Sequence, residues 1–287
     1  MEYRAVPDIM YEPSQNPGKL IRFSYDTETY DPQRLSVRED ALVYLPYGYD
    51  AEPSRRYPVL FLMHGGGGNC EELFGGEEAR TPLKNLLDQA VSQGHCKPMI
   101  VVAPSYSLPD REDAHRDVGQ ACMLTHRFPT ELREDLIPAV DAAFRTLADR
   151  RMRAFGGFSM GAEATWSVLS ECLPQVASYL PMSGDYWTIC VKGGKEHPRE
   201  TVQALLRKIQ ASGVEPEDYR IFACTGDRDI AWEAMDPMIR EMYGHTPWFR
   251  PEQPGCPGNL HYCLKPEGYH TYDDCWEYLY LAMPHLF

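Results

Sequence analysis

A serine between two glycines is the first feature of this sequence that could do chemistry. Gly-Phe-Ser-Met-Gly occupies residues 157–161, after a β-forming run and before a segment with helical apolar spacing. A serine on such a sharp strand-to-helix turn presents its hydroxyl as a nucleophile, and the glycines let strand and helix approach each other. Ser159 is therefore the candidate nucleophile. The pentapeptide alone fits an ordinary turn equally well, so the assignment depends on its partners.

A nucleophilic serine needs a base to take its proton and a carboxylate to orient that base. Asp227 and Asp229 follow the next β-forming run that ends in a Gly/Asp turn, and His270 precedes the last helical segment. The chain order serine, acid, histidine fits this requirement. Either aspartate could be the acid while the other caps the following helix, and we prefer Asp229. His261 lies in a strand-like segment and His285 near the terminus, so His270 is the candidate base.

Ester or amide cleavage by a serine also requires backbone donors for the negative charge that develops on the substrate oxygen. His-Gly-Gly-Gly-Gly at residues 64–68 follows a β-forming run, and its glycines allow N–H groups to approach a substrate. We expect an oxyanion hole formed by Gly65 and Gly66 together with the N–H of Met160. Four glycines after a strand are, on their own, more typical of a flexible turn. His64 is expected to brace this loop by hydrogen bonds rather than to act as a base.

The elements that must position these residues follow from the hydrophobic pattern. Short apolar runs alternate with amphipathic segments from Pro58 onward, which is typical of a parallel sheet with crossover helices. Such crossovers bring the carboxyl ends of the strands to one edge of the sheet, where loops converge into a site. The first fifty residues predict an opening antiparallel pair. The predicted strands are 19–25, 41–47, 58–63, 99–103, 153–158, 178–182 and 219–224, and the predicted helices are 83–93, 131–148, 161–172, 199–211, 231–243 and 272–281.

The fold class that this pattern predicts is α/β, with the α/β-hydrolase arrangement. We expect a mostly parallel central sheet, helices on both faces and an N-terminal antiparallel pair. No repeat, low-complexity tract or charge block divides the chain, which predicts one domain over residues 1–287. The hydrophobic content of 43% is sufficient for a continuous core.

Charge and hydropathy exclude several classes of partner. The formal net charge of −14, from 28 basic and 42 acidic residues, disfavours nucleic acid and anionic membranes because both would be repelled. No apolar stretch approaches the length of a bilayer span, and the start of the chain lacks the features of a signal peptide. We therefore expect a cytoplasmic protein, or a secreted one if a leader was trimmed. A homo-oligomer is compatible with the sequence.

Cysteine and histidine usage points to neither disulfides nor metal. The nine cysteines include no Cys-x-x-Cys pair, and an odd number cannot all pair within one chain, so reduced thiols are expected. Cys224 ends a β-forming run and is expected to be a small core residue. The nine histidines show no zinc-ligand spacing. We expect no metal and no cofactor.

These motifs also resemble those of a known family. The chain is similar, over most of its length, to the feruloyl esterases and related esterases of carbohydrate esterase family 1, close to the esterase D family. In that family the pattern implies Ser159 as nucleophile, Asp229 as acid and His270 as base. The resemblance is carried by Val-Tyr-Leu-Pro-Tyr-Gly-Tyr at 43–49, residues 64–69, 131–138 and 153–161, Pro-Met-Ser-Gly-Asp at 181–185, residues 226–232 and the ending 282–287.

The resemblance implies release of hydroxycinnamic acids such as ferulate from arabinoxylan side chains or small phenolic esters, by an acyl-enzyme route without a cofactor. The expected partner is thus a small-molecule or oligosaccharide ester. Members of the same group also hydrolyse acetylated sugars, S-formylglutathione or siderophore lactones, and fold-level likeness does not separate these substrates. An acyltransferase with the same triad and a non-catalytic binding protein on the same scaffold are further alternatives.

A hydroxycinnamoyl group needs a flat apolar slot, which aromatic side chains form at little entropic cost. Trp187, Trp232, Tyr106 and Tyr269 follow predicted strand ends or flank the acid and the base, so they are the candidate substrate-binding residues. Taken singly, each is more often a packing residue. Trp166 falls within the helix after the candidate nucleophile and is expected in the core.

Overall fold

The structure is a computed structural model that describes residues 1–106, 118–253, 255 and 257–287. Within these residues eight strands form one sheet. The strands are β1 (Lys19–Glu28), β2 (Ser36–Leu45), β3 (Val59–Met63), β4 (Ile100–Ala103), β5 (Arg153–Phe158), β6 (Ser178–Met182), β7 (Arg220–Gly226) and β8 (Leu260–Lys265).

The strand order across the sheet is β1-β2-β4-β3-β5-β6-β7-β8. β2 runs antiparallel to both β1 and β4, whereas all other neighbouring strands are parallel. Strands β3 to β6 are buried along their whole length, as expected for parallel strands that are covered on both faces. The predicted mostly parallel sheet with an N-terminal antiparallel pair is therefore confirmed.

Two helical layers cover the sheet. Along β3, Phe61 and Leu62 belong to separate hydrophobic clusters, since successive side chains of a strand point to opposite faces. One cluster contains residues of helices α2, α3, α4, α6 and α7, and the other contains residues of α1 and α8. The helices are α1 (Leu83–Ser92), α2 (Val118–Glu131), α3 (Ile137–Ala143), α4 (Met160–Glu171), α5 (Gly193–Glu196), α6 (Pro198–Ala211), α7 (Trp232–Met242) and α8 (Tyr272–Ala282).

The predicted helix 131–148 is wrong in its bounds. Helical structure begins earlier, with α2, continues through a π-helical turn at Leu132–Leu136 and ends with α3 at Ala143. Pro129 lies inside α2. Because proline lacks the N–H donor, it usually indicates a helix boundary, and the prediction therefore began the helix after it. At the other end Phe144 is extended and Thr146 forms a parallel bridge to Tyr57, so sheet pairing ends the helix.

Two elements were not among the predicted strands and helices. Strand β8 was recognised only as a strand-like segment around His261, because the alternation of buried and half-buried residues along it is weak. The four-residue helix α5 carries two glycines and has too few positions for a periodic pattern. β2 begins at Ser36, five residues before the predicted strand 41–47, and the remaining helices and strands agree with the prediction to within three residues at their ends.

Core and thiol residues lie largely where the sequence placed them. Trp166 is fully buried and its indole N–H donates to the carbonyl of Gly184 at 2.9 Å. Cys224 is also fully buried, and the eight cysteines of the described ranges are all free thiols, whereas Cys256 lies outside those ranges. Among the helices that the structure describes, none combines the length and apolarity needed to cross a bilayer.

Candidate active site

Ser159 occupies the turn between β5 and α4. Its backbone has φ 56° and ψ −118°, a conformation that costs a non-glycine residue about 1–3 kcal/mol and persists only when its surroundings impose it. The Ser159 N–H donates to the carbonyl of Met182 at the end of β6, at 2.9 Å. A Cβ atom on Gly157 would lie 2.5 Å from the carbonyl oxygen of Gly161, so both glycines are required by close backbone approach. The turn therefore has the geometry of a nucleophile elbow.

The structure brings Ser159, His270 and Asp229 into one chain of hydrogen bonds. His270 Nε2 lies 2.9 Å from Ser159 Oγ, and its Nδ1 lies 2.7 Å from Asp229 Oδ1. These residues are 111 and 41 positions apart in the sequence. In this geometry the imidazole can accept the hydroxyl proton while the carboxylate stabilises the resulting cation.

Asp229 is held as a buried carboxylate. Its side chain is fully buried, and Oδ1 also accepts a hydrogen bond from the Ala231 N–H at 2.7 Å. Burial alone would raise the pKa of Asp229, but the hydrogen bonds from His270 and Ala231, together with the nearby hydroxyl of Ser183, outweigh it and hold the pKa below its ordinary value. The group therefore stays ionised at neutral pH.

Asp227 does not contact the histidine. Its backbone N–H donates to the carbonyl of Lys265 at 3.1 Å, and its Oδ1 is buried without a hydrogen-bond partner among the described residues. The ring of His270 thus faces Asp229. Of the two aspartates that the sequence left in competition, only Asp229 has the position that an orienting acid needs.

A close glycine contact joins the acid loop to the histidine loop. A Cβ atom on Gly226, at the end of β7, would lie 2.1 Å from the carbonyl oxygen of Gly268. The same carbonyl accepts the N–H of Arg228 at 3.0 Å. Sequence reasoning did not single out these glycines, although each stands shortly before the acid or the base. Their lack of side chains lets the two loops approach.

Of the two glycine N–H groups predicted to form the oxyanion hole, the structure leaves only one without an acceptor. Gly65 N–H donates to the hydroxyl of Tyr272 at 3.0 Å, so the expected role of Gly65 in the oxyanion hole does not agree with the structure. Gly66 N–H has no acceptor among the described residues, and a Cβ on Gly66 would lie 3.9 Å from Met160 Cβ. Met160, the first residue of α4, has no intrahelical acceptor for its N–H. Gly66 and Met160 thus offer two adjacent donors.

Comparison with known proteins gives this site a context. Residues 33–254 match the family described as “Putative esterase”. The chain belongs to this esterase family. The esterase is 32% identical over its whole length to endo-1,4-beta-xylanase Y of Acetivibrio thermocellus, and 30% identical over 72% of its length to an endo-1,4-beta-xylanase/feruloyl esterase of Xylanibacter ruminicola. It spans only 25% and 29% of the lengths of these two relatives.

A solved structure is similar to the esterase over almost its whole length. The feruloyl esterase module from Clostridium thermocellum, complexed with sinapinate, superposes with a TM-score of 0.81 at 31% identity. The superposition covers 99% of the esterase and 93% of that module. The esterase therefore has the α/β-hydrolase fold that the sequence predicted.

The four aromatic residues predicted to bind substrate occupy different environments. Trp187 is half-buried, and its indole N–H donates to Asp185 Oδ1 at 3.0 Å. Trp232 is half-buried at the start of α7, and Tyr269 is 50% exposed beside His270. Tyr106 is buried, and its hydroxyl donates to the carbonyl of Met160 at 3.2 Å. Tyr106 therefore supports the elbow from behind, and the role in a slot predicted for it does not agree with this burial.

His64 lies under the glycine-rich loop. Its Nδ1 is 2.7 Å from the carbonyl oxygen of Gly65, and its ring packs edge-on against Tyr106 at a centroid distance of 5.3 Å. This is the bracing contact that the sequence suggested. Among the residues that the structure describes, no three His, Cys, Asp or Glu side chains are grouped so that they could ligate a metal.

Glu163 is a buried carboxyl that sequence reasoning missed. It lies in the first turn of α4 behind Ser159, is only 6% exposed, and its Oε2 has no hydrogen-bond partner among the described residues. Burial raises the pKa of Glu163 well above its ordinary value, and the neighbouring Asp185 raises it further. The carboxyl therefore keeps its proton to a higher pH than a solvent-exposed glutamate does. The signal available in the sequence was a charged residue in the first turn of a largely apolar helix.

Glu163→Gln should stabilise the esterase more at alkaline than at acidic pH. The pKa of the Glu163 carboxyl is higher in the folded protein than in the unfolded chain. The free energy of unfolding of wild type therefore falls as pH rises above the ordinary pKa of a glutamate. The neutral amide removes that loss. Thermal unfolding is measured between pH 5 and pH 8, and the Tm of Glu163→Gln minus that of wild type should increase with pH. Glu200→Gln, on the exposed surface of α6, should show no such increase. A Tm difference that is flat or shrinks with pH contradicts the raised pKa of Glu163.

Tyr272→Phe should lower kcat about fivefold, because one neutral hydrogen bond is worth about 1 kcal/mol and its loss frees the donor loop. KM should change little. The matched control is Tyr280→Phe on the same helix, whose hydroxyl makes no hydrogen bond to the described residues. Steady-state kinetics of both variants on one ester check the prediction, and equal kcat for Tyr272→Phe and wild type would exclude a role of Tyr272 in holding the loop.

Proposed function

We propose that this esterase is a serine carboxylic ester hydrolase that releases hydroxycinnamic acids of the ferulate type through an acyl-enzyme on Ser159. The observation that carries the proposal is the hydrogen-bonded series from Ser159 through His270 to Asp229 on a strained elbow. The feruloyl esterase names of the relatives, and the sinapinate in the similar module, support the choice of acyl group.

In the first half of the reaction Ser159 Oγ attacks the ester carbonyl carbon while His270 Nε2 takes the hydroxyl proton. The carbonyl oxygen becomes an oxyanion between the N–H groups of Gly66 and Met160, where each such donor is worth roughly 100- to 1000-fold in kcat. His270 then gives its proton to the leaving alcohol oxygen, the carbon–oxygen bond breaks, and the acyl group remains on Ser159. Asp229 keeps its negative charge throughout and stabilises the imidazolium.

In the second half water replaces the alcohol. His270 Nε2 takes a proton from the water as its oxygen attacks the acyl carbon, and the oxyanion forms again at the same donors. The proton returns to Ser159 Oγ as the acyl–oxygen bond breaks, which releases the carboxylic acid and restores the free enzyme. No residue needs to change oxidation state, and every proton transfer passes through one imidazole. Product analysis with a sugar acceptor present distinguishes this hydrolysis from acyl transfer to the acceptor.

The acyl slot is assigned in this proposal to Trp187 and Trp232, which follow β6 and β7 and are both half-buried. The hydrogen bond from Trp187 to Asp185 fixes the indole plane, as a site for a flat ring requires. Tyr269 is exposed beside the base, and its hydroxyl accepts from Arg228 at 3.0 Å. We place Tyr269 at the rim, on the side where the alcohol leaves.

We propose further that residues 1–287 form one domain that acts in a reducing compartment such as the cytoplasm. One continuous sheet with a helical layer on each face supports a single domain. The eight free cysteines of the described ranges, six of them buried, support a reducing compartment.

Methyl ferulate should be the best of a panel that also contains an acetylated xylan, S-formylglutathione and a catecholate lactone. A slot that binds the aromatic ring should favour methyl ferulate by about 10-fold or more in kcat/KM over a simple acetyl ester. Trp187→Ala should lower kcat/KM for methyl ferulate and leave the acetyl ester nearly unchanged. Equal values for both esters in wild type would remove the support for an aromatic slot.

Asp229→Asn should lower kcat by roughly 1000- to 10,000-fold, because an amide holds the histidine in the wrong tautomer. Asp227→Asn is the matched control, since it removes the neighbouring carboxylate, and it should keep kcat within a few-fold of wild type. Both variants are compared on methyl ferulate, with circular dichroism to verify folding. A larger loss in Asp227→Asn than in Asp229→Asn would reassign the acid.

A further inference from the structure

Ser183, the residue after β6, has a strained backbone that the proposed mechanism does not use. Its φ is 61°, in the left-handed region that favours glycine, and its side chain is fully buried. Its N–H donates to the carbonyl of Cys224 in β7 at 2.8 Å, which fixes the residue across the two strand ends. Strain of this kind costs about 1–3 kcal/mol and tends to be kept where it serves a site.

The hydroxyl of Ser183 lies next to the acid of the triad. Asp229 Oδ1 is occupied twice, by His270 Nδ1 and by the Ala231 N–H, both at 2.7 Å. Asp229 Oδ2 and Ser183 Oγ are both buried, and neither has a hydrogen-bond partner among the described residues. The Ser183 hydroxyl is among the groups that lower the pKa of Asp229. A buried carboxylate oxygen without a donor would be costly, so the two atoms complement each other.

The next residue joins the same turn to the nucleophile. A Cβ atom on Gly184 would lie 2.8 Å from the carbonyl oxygen of Ser159 and 2.9 Å from Ala162 Cβ, so the backbone here presses against the elbow. The carbonyl of Gly184 is fixed by the indole N–H of Trp166. Residues 183 and 184 thus lie between the elbow and the acid, and their backbone cannot shift without moving one of them.

We propose that Ser183 is a positioning residue whose hydroxyl donates to Asp229 Oδ2 and sets the plane of the carboxylate, so that Oδ1 faces His270 Nδ1. The torsion of an aspartate carboxylate about its terminal bond is soft, and a donor on the second oxygen removes that freedom. The left-handed backbone is the conformation that aims the hydroxyl at the acid loop. This inference rests on the proposed triad and adds a fourth member to it.

Three variants test the role of the hydroxyl. Ser183→Ala removes it and keeps the backbone strain, whereas Ser183→Gly removes it and relieves the strain. Ser167→Ala, in the middle of α4, is the matched control, because Ser167 Oγ is also buried and has no partner among the described residues. On methyl ferulate both Ser183 variants should lose about tenfold in kcat with KM unchanged, since a hydrogen bond to a charged group is stronger than a neutral one. Ser167→Ala should keep the wild-type kcat.

The pH profile separates positioning from general destabilisation. A carboxylate with one donor fewer attracts the proton on His270 more strongly, so the acid limb of kcat/KM should move to higher pH in both Ser183 variants. Tm should be higher in Ser183→Gly than in Ser183→Ala, while kcat is equally low in both. Wild-type kcat in the glycine variant, or an unmoved acid limb in both, overturns the proposal.

The rate of labelling by a fluorophosphonate reports activation of Ser159 without a natural substrate. Both Ser183 variants should react about tenfold more slowly than wild type and Ser167→Ala. If wild type is labelled but does not cleave methyl ferulate, the substrate assignment fails while the role of Ser183 stands. If wild type cleaves methyl ferulate and all variants are labelled at the wild-type rate, the role of Ser183 fails alone.

Discussion

The hydrogen bond between His270 Nδ1 and Asp229 Oδ1 is the interaction on which the rest of the site depends. Ser159 follows β5, Asp229 follows β7 and His270 follows β8. Strands of a sheet are about 4.8 Å apart, so β5 and β7 are separated by roughly 10 Å. The loop that carries Asp229 extends over the end of β6 toward Ser159. One imidazole can therefore contact both Ser159 and Asp229. The end of β6, with Ser183 and Gly184, fills the space beneath.

Strain at the strand ends is balanced by the packing behind them. Ser159 and Ser183 both have positive φ, at the ends of adjacent strands, and both are tied by N–H donors to the next strand. Helix α4 lies directly behind the elbow and is almost fully buried, and its Trp166 donates a hydrogen bond to the carbonyl of Gly184, which follows β6. A rigid core at this edge allows the loops to hold a geometry that an isolated turn would relax. Rigidity of the scaffold and reactivity of Ser159 are therefore linked.

Local patterns were sufficient to predict the parts of this site that depend on neighbours in sequence. Strands 153–158 and 178–182 agree with the structure to the residue, because continuous apolar runs between turn residues determine them. The elbow glycines and the order of serine, acid and histidine were readable for the same reason. Two β-rich stretches also predicted the N-terminal antiparallel pair, although the hairpin extends further on both strands.

Contacts between distant residues could not be read from the sequence. Gly65 and Gly66 are equivalent in the sequence, and only the hydroxyl of Tyr272, 207 positions away, makes one of them a bound donor and the other a free one. Tyr106 follows a strand end, which is where a residue that lines the acyl slot is expected. In the structure its ring packs against His64 and is buried in the core. Ser183 carries no local signal, because its role depends on an oxygen of Asp229.

Trapping the acyl-enzyme tests the central claim most directly. A reaction with excess methyl ferulate is quenched in acid within the first turnovers, digested, and mapped by mass spectrometry. The account predicts one feruloyl adduct, on Ser159, that is absent in Ser159→Ala. Ferulate release with no adduct, or with an adduct on another residue, would contradict it.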